Sequence, residues 1–186
     1  MNDPHVQSLE YEVITTFGYV FKDAPPLDHK TAEFTLRLEA ERLTVSMKTH
    51  HATGKEARGV VEPFLRSWEL HQALQRGTRL MRFEFQKANI IDRNPSPTAS
   101  GINAAAAILC GSGSLFANAT VLLASYPAPP LDFVASPHVE TLWNRYEQYV
   151  DGREPLAGMA YACATFITRV VANGEAEASK KLSISR

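Results

Sequence analysis

The sequence predicts an α+β fold: an antiparallel sheet, able to curl toward a barrel, covered by one helix and followed by a C-terminal αα-hairpin. Three observations predict it. Several short runs alternate apolar and polar residues, which is the pattern of strands with one greasy and one wet face. One long stretch, 59–93, changes from helical to strand periodicity part-way along. Beyond the proline-rich run Pro127-Ala128-Pro129-Pro130 the apolar spacing is helical only. The expected organisation is a β-rich α+β domain over 1–126, a connector over 127–135, a helical hairpin over 136–174 and a tail over 175–186.

The first strand is expected over Tyr11–Phe21, with Val13, Thr15, Phe17, Tyr19 and Phe21 on one face and Gly18 as a bulge. Ala24-Pro25-Pro26 ends it. Phe34, Leu36 and Leu38 then alternate with Thr35 and Arg37, and Leu43, Val45 and Met47 with Thr44, Ser46 and Lys48. Glu39-Ala40-Glu41-Arg42 is the short connection between these two strands, although it lacks the glycine such turns favour. One helix over TAEFTLRLEAERLTV is the competing reading, because Leu, Glu, Ala and Arg are good helix formers.

The central helix is expected from Gly59 to Arg76. Val61, Phe64, Leu65, Trp68 and Leu74 make its apolar stripe. Pro63 and Glu62 suit an opening turn, Arg76 suits the last turn, and Gly77 is the expected C′ residue. The strand that follows puts Met81, Phe83 and Phe85 on one face and Arg82, Glu84 and Gln86 on the other, and stops at Asn94-Pro95. Residues 94–101 read as a loop. A β-hairpin turning at Gly111-Ser112-Gly113-Ser114 is expected within 102–126; whether Ile102–Cys110 is strand or helix stays open, since Ala104–Ala107 favours helix. Ser136-Pro137 is the N-cap and first residue of the next helix, striped by Val139, Leu142, Trp143, Tyr146 and Val150 and stopped by Asp151-Gly152. The last helix begins near Pro155, faces inward with Leu156, Met159, Cys163, Phe166, Ile167 and Val170, and closes at Asn173-Gly174. The tail has no apolar stripe and suits a truncated longer chain.

Composition bounds the function. The chain is 186 residues with a net charge of -1, which does not indicate nucleic acid as a partner. Cys110 and Cys163 are isolated, so neither a disulfide framework nor a thiolate metal site is expected. No stretch reaches the roughly 18 apolar residues of a membrane span, and MNDPHVQSLEYE is no signal peptide. The expectation is a soluble, cytoplasmic protein with no cofactor and no metal.

Candidate chemistry is sparse. Arg66 and His71 make an R-x4-H pattern similar to that of the helical HEPN ribonucleases. That resemblance implies a phosphate-binding arginine and a histidine moving the proton of a 2′-hydroxyl attack. The setting departs from the family, because here the pattern precedes a strand. His50-His51 reads as a polar loop, since adjacent residues point apart and no third ligand is near. Asp92-Arg93 reads as a turn or local ion pair, and Ser112 and Ser114 have no histidine partner in sequence. Trp143, Arg145, Tyr146 and Tyr149 are the expected binding residues, because aromatics and arginine are enriched at interfaces; packing within the hairpin is the plainer account of them. The stretch RYEQYVDGREPLAGMAYACATFI, Arg145 to Ile167, resembles segments of uncharacterised bacterial proteins, which implies a bacterial origin and no particular activity. The expected function is a non-catalytic interaction or ligand-binding module that forms a homo-oligomer, a dimer, through the helical hairpin. A metal-independent ribonuclease using Arg66 and His71 is the alternative from another class, and a carrier for a small apolar ligand is the third.

Overall fold

The computed structural model describes residues 3–15, 18–76, 80–94 and 121–172, together with 177 and 180. The chain divides into two compact units, Met1–Val134 and Ala135–Arg186. Among the described residues the first unit holds seven strands and one helix: β1 (Pro4–Thr15), β2 (Tyr19–Phe21), β3 (Leu27–Lys30), β4 (Phe34–Glu39), β5 (Arg42–Met47), α1 (Gly54–Arg76), β6 (Met81–Asp92) and β7 (Val121–Leu123). Five of the strands form one antiparallel sheet in the order β3-β4-β5-β1-β6. The α+β class with a helix-covered antiparallel sheet is therefore as expected, and the sheet is open rather than closed into a barrel. β2 and β7 pair in parallel as a separate ribbon.

The first strand is an interior one, next to the β6 edge. β1 starts seven residues earlier than the sequence suggested and lies between β5 and β6. A register shift at Val6/Ser8 leaves Gln7 as an extra residue in β1 and breaks its alternation, and that is why its first half does not look like a strand; a second shift, at Glu10/Tyr11, puts the extra residue, Gln86, in β6. Val6, Leu9, Tyr11 and Val13 all reach the core nonetheless. The expected continuation to Phe21 is interrupted: β1 ends at Thr15, and Tyr19–Phe21 leaves the sheet to pair with β7. Gly18 takes a positive φ of 74° between them and its carbonyl accepts from Val121 N.

β4 and β5 are strands, so the single-helix alternative for that stretch is not what the chain adopts. Their connection is a two-residue turn with Ala40 at φ 48° and Glu41 at φ 59°. Two left-handed residues suit the right-handed twist of a hairpin but are costly for side chains with a Cβ. Two long-range bonds hold the turn. Val13 N donates to Glu41 O at 2.8 Å. Glu41 N donates to the Tyr126 hydroxyl at 3.0 Å, across 85 residues of sequence.

α1 begins five residues before the expected start. Thr53 and Glu56 form a capping pair: Glu56 N donates to Thr53 Oγ1 and Ala52 N to the Glu56 carboxylate. Pro63 accordingly lies inside the helix rather than in its opening turn, and Glu62 pairs with Arg58 instead of greeting the helix dipole. The apolar stripe is placed as expected. Val61, Leu65 and Trp68 are buried over β1, β4 and β5, and Trp68 sits 4.9 Å from Phe83 of β6, ring centre to ring centre. Leu74 departs from the stripe and is half exposed.

The segment after β7 is bound to α1. Trp68 Nε1 donates to Pro127 O and Gln72 Nε2 to Ala128 O, so the proline-rich run lies along the helix and belongs to the first unit. Gly77, the 95–101 loop, the 102–120 part of the expected hairpin and Asn173-Gly174 fall outside the described residues.

The second unit is an αα-hairpin of α2 (Pro137–Val150) and α3 (Leu156–Phe166), the latter passing into a π-helical turn at Ile167–Val171. Ser136 is the N-cap, with its side chain accepting from Val139 N at 3.3 Å, and Pro137 opens the helix. Gly152 ends α2 at φ 70°, donating to Tyr149 O. His138 meets Phe166 at 5.1 Å between ring centres, closing the hairpin at its far end.

Two substitutions test this core. Trp68→Ala should cost roughly 3–5 kcal/mol, because it empties a fully buried aromatic site; a denaturant midpoint that does not move would remove α1 from its organising place. Tyr11 is buried, its hydroxyl has no hydrogen-bond partner among the described residues, and burial first and Glu62 second push its phenol above the ordinary tyrosine range. Tyr11→Phe should thus leave stability unchanged or raise it by about 1 kcal/mol, since an unpaired buried hydroxyl is removed. A measured loss larger than that would show that the hydroxyl has a partner.

Candidate functional site

Three places in the molecule gather polar or aromatic groups beyond what packing requires. The first is on α1. Arg66 and His71 are five residues apart, which turns them about 140° from each other around a helix. Each has its own partners. Arg66 bonds to Glu69 at 3.1 Å. Glu69 is buried, and its other carboxylate oxygen accepts from Phe83 N at 2.7 Å. Arg66, Glu69 and β6 therefore form one chain of contacts that ties helix to strand. His71 lies on the next face, its Nε2 3.2 Å from Gln75 Nε2 and its ring 5.3 Å from Phe133. It borders an open groove of about 670 Å³ between the end of α1 and the Pro127–Phe133 segment, to which Gln72, Gln75, Arg76 and Asp132 also contribute. Arg66 is not among the groove residues.

The second place is one end of the sheet, where β1 begins, β6 ends and β5 passes into α1. His5 of β1 is buried and its Nδ1 has no hydrogen-bond partner among the described residues. His50 stacks on it at 5.3 Å with the rings 14° from parallel. His51 bonds to Thr49 through its ring and accepts from Val6 N through its carbonyl. Asp92 accepts from Asp3 N and Asn94 N, the turn-forming part expected of it. Stacked imidazoles do not converge their lone pairs on one point. Among the described residues no group of three or more His, Cys, Asp or Glu is placed to hold a metal ion.

The third place is the helical hairpin. Trp143 is buried and donates through Nε1 to Glu147 at 2.7 Å. Tyr146 packs 5.0 Å from it, ring centre to ring centre, and Tyr149 is half-buried. Arg145 is bonded to Glu154 at 2.6 Å, across the turn between the helices. The structure thus brings Trp143 and Tyr146 together and sends Arg145 to the turn. α3 is different in kind. Its sequence LAGMAYACATF is apolar on every side except for its hydroxyls, and none of its residues is buried. Tyr161 is 76% exposed and Leu156 57%. Ala157, Ala160 and Ala164 are exposed on the same side as Tyr161. Helical spacing alone had turned attention to the opposite face, where Met159, Cys163 and Phe166 are half-buried. The missed signal was the absence of any charged residue around α3.

Among the described residues no helix is long and apolar enough to cross a membrane. No family model, no curated protein and no solved structure matches the chain.

The Arg66–Glu69–Phe83 chain is testable as a structural device. Glu69→Ala should cost about 1–3 kcal/mol in chemical denaturation, because the Phe83 N–H loses its acceptor inside the protein. Glu69→Gln keeps an oxygen there and should lose less. Equal losses for the two substitutions would show that the carboxylate charge, not the bond to Phe83, is what the site uses.

Proposed function

We propose that this protein is a non-catalytic interaction module that pairs with a second copy of itself through its C-terminal hairpin. One observation carries the reading: α3 is apolar around its whole circumference and none of it is buried. A helix of that composition is ordinarily enclosed by other elements. An exposed patch of this kind marks a contact surface. The exposed side combines one large aromatic, Tyr161, with the small residues Ala157, Ala160 and Ala164. Small side chains let two helices approach closely, and the aromatic supplies an anchor. A two-fold contact uses the same patch twice, so a single apolar helix is sufficient to cover itself.

The groove beside His71 favours ligand binding as a second, separate task of the first unit. It joins an exposed arginine, Arg76, to two side-chain amides and a proline-rich wall, a mixture suited to an extended polar ligand.

Light scattering on the full chain over the micromolar range tests the main reading. A dimer is expected for the native sequence and a monomer for Tyr161→Asp, with unchanged circular dichroism because the side chain is exposed. A chain ending at Val134 should be monomeric as well. A native protein that is monomeric throughout would sink the proposal, and a dimer surviving both changes would move the interface to the first unit.

A further inference from the structure

We propose that the histidine cluster at the end of the sheet is a proton-operated latch, which holds the 48–53 loop against β1 at neutral pH and lets it go on acidification. Three elements meet there. β1 contributes His5, the loop between β5 and α1 contributes His50 and His51, and the turn after β6 contributes Arg93. The loop is fastened to β1 by one backbone bond, from Val6 N to His51 O at 2.9 Å, and by the stacking of His50 on His5.

The charges facing His5 are unbalanced. Arg93, His50 and His51 all oppose a proton on it, and Asp3 favours one. The Asp3 carboxylate is already shared, lying 3.8 Å from His50 Nε2. Asp92 is directed to the backbone of Asp3 and Asn94. Protonating His5 would put a buried cation beside Arg93, stacked on an imidazole 5.3 Å away between ring centres, with the nearby Asp3 carboxylate already turned to His50.

The sign follows. Burial, then Arg93 and His50, hold the His5 imidazole below the ordinary histidine value in the folded chain. The opened loop would return it to that ordinary value, so the open form binds the proton more readily. The closed form is therefore secure above the ordinary histidine pKa and weakens as pH falls below it. Opening carries a further consequence along the chain. The same loop supplies Thr53 and the Ala52 N–H to the capping pair of α1, so releasing it also loosens the first turn of the helix that covers the sheet.

Amide hydrogen exchange on the full-length protein tests this directly. Val6 N–H is the reporter, because its acceptor is in the loop. After correction for the intrinsic rate, an opening that takes up one proton should speed exchange about tenfold for each pH unit between the ordinary histidine pKa and the lowered value of the closed form, and level off below it. His5→Phe keeps a ring under His50 but cannot be protonated, and its Val6 amide should stay protected over the same range. Nuclear magnetic resonance titration of the His5 ring in the native protein gives a second reading that needs no variant: protonation and loss of Val6 protection should share one midpoint. Protection that does not change with pH in the native protein would overturn the proposal. So would a His5→Phe protein that opens with acid as the native one does, or a His5 ring that titrates without any change at Val6.

Discussion

Burying the indole of Trp68 places a demand on the rest of the first unit. The ring fills the centre of the contact between α1 and the sheet, and its N–H must find an acceptor where water does not reach. The acceptor is the carbonyl of Pro127, 59 residues further along the chain. Proline suits the part, since it has no N–H of its own to satisfy and favours an extended backbone that leaves its carbonyl pointing outward. Tyr126, immediately before it, packs on Phe21 and bonds to the β4–β5 turn. Gln72, one helical turn beyond Trp68, takes the next carbonyl. A stretch that by composition reads as a stiff spacer is thereby part of the packing around the helix. The neighbouring residue, Glu69, completes the attachment from the other side by bonding to β6.

Much of this was legible. The change from helical to strand period near residue 80, the alternation of β4 and β5, and the Ser136-Pro137 start of α2 are local signals, and local signals survive translation into structure. What was not legible depends on partners far away in sequence. The alternation of β1 is broken at Gln7 by a register shift that only its pairing with β6 explains. β3, LDHK, is a short edge strand with too little apolar character to announce itself. The start of α1 was marked by Thr53 and Glu56, a capping signature, but Pro63 offered a more familiar opening and drew the boundary five residues late. The site residues divide in the same way. Trp143 and Tyr146 meet as neighbours on one helix face. Arg66 goes to Glu69, a carboxylate whose burial only the position of β6 makes sensible.

The two units present different kinds of surface. The first is a packed sheet with a polar, internally bonded outer face: Asn89 donates to Ser8 and Glu10, and Gln86 to Glu12. Such a face is satisfied by its own side chains. The second unit presents one side of an apolar helix to solvent among the described residues, so association there would bury hydrophobic area, whose free energy is insensitive to proton concentration. The histidine end of the first unit has the opposite character, being built of imidazoles, an arginine and carboxylates.

The β4–β5 turn has a consequence for the order in which the chain becomes native. Ala40 and Glu41 adopt backbone angles that neither residue favours, and one of the two bonds restraining them comes from Tyr126. A growing polypeptide leaves the ribosome from its N-terminus, so the hairpin emerges 85 residues ahead of that hydroxyl. Until Tyr126 arrives, the turn lacks one of its two clasps and the pairing of β4 with β5 is free to slip. β1, although first to be made, also waits for β6 before both its edges are occupied. The first unit is thus ill suited to folding piece by piece during translation, and its cooperative closure belongs to the moment when residues beyond 126 have cleared the exit.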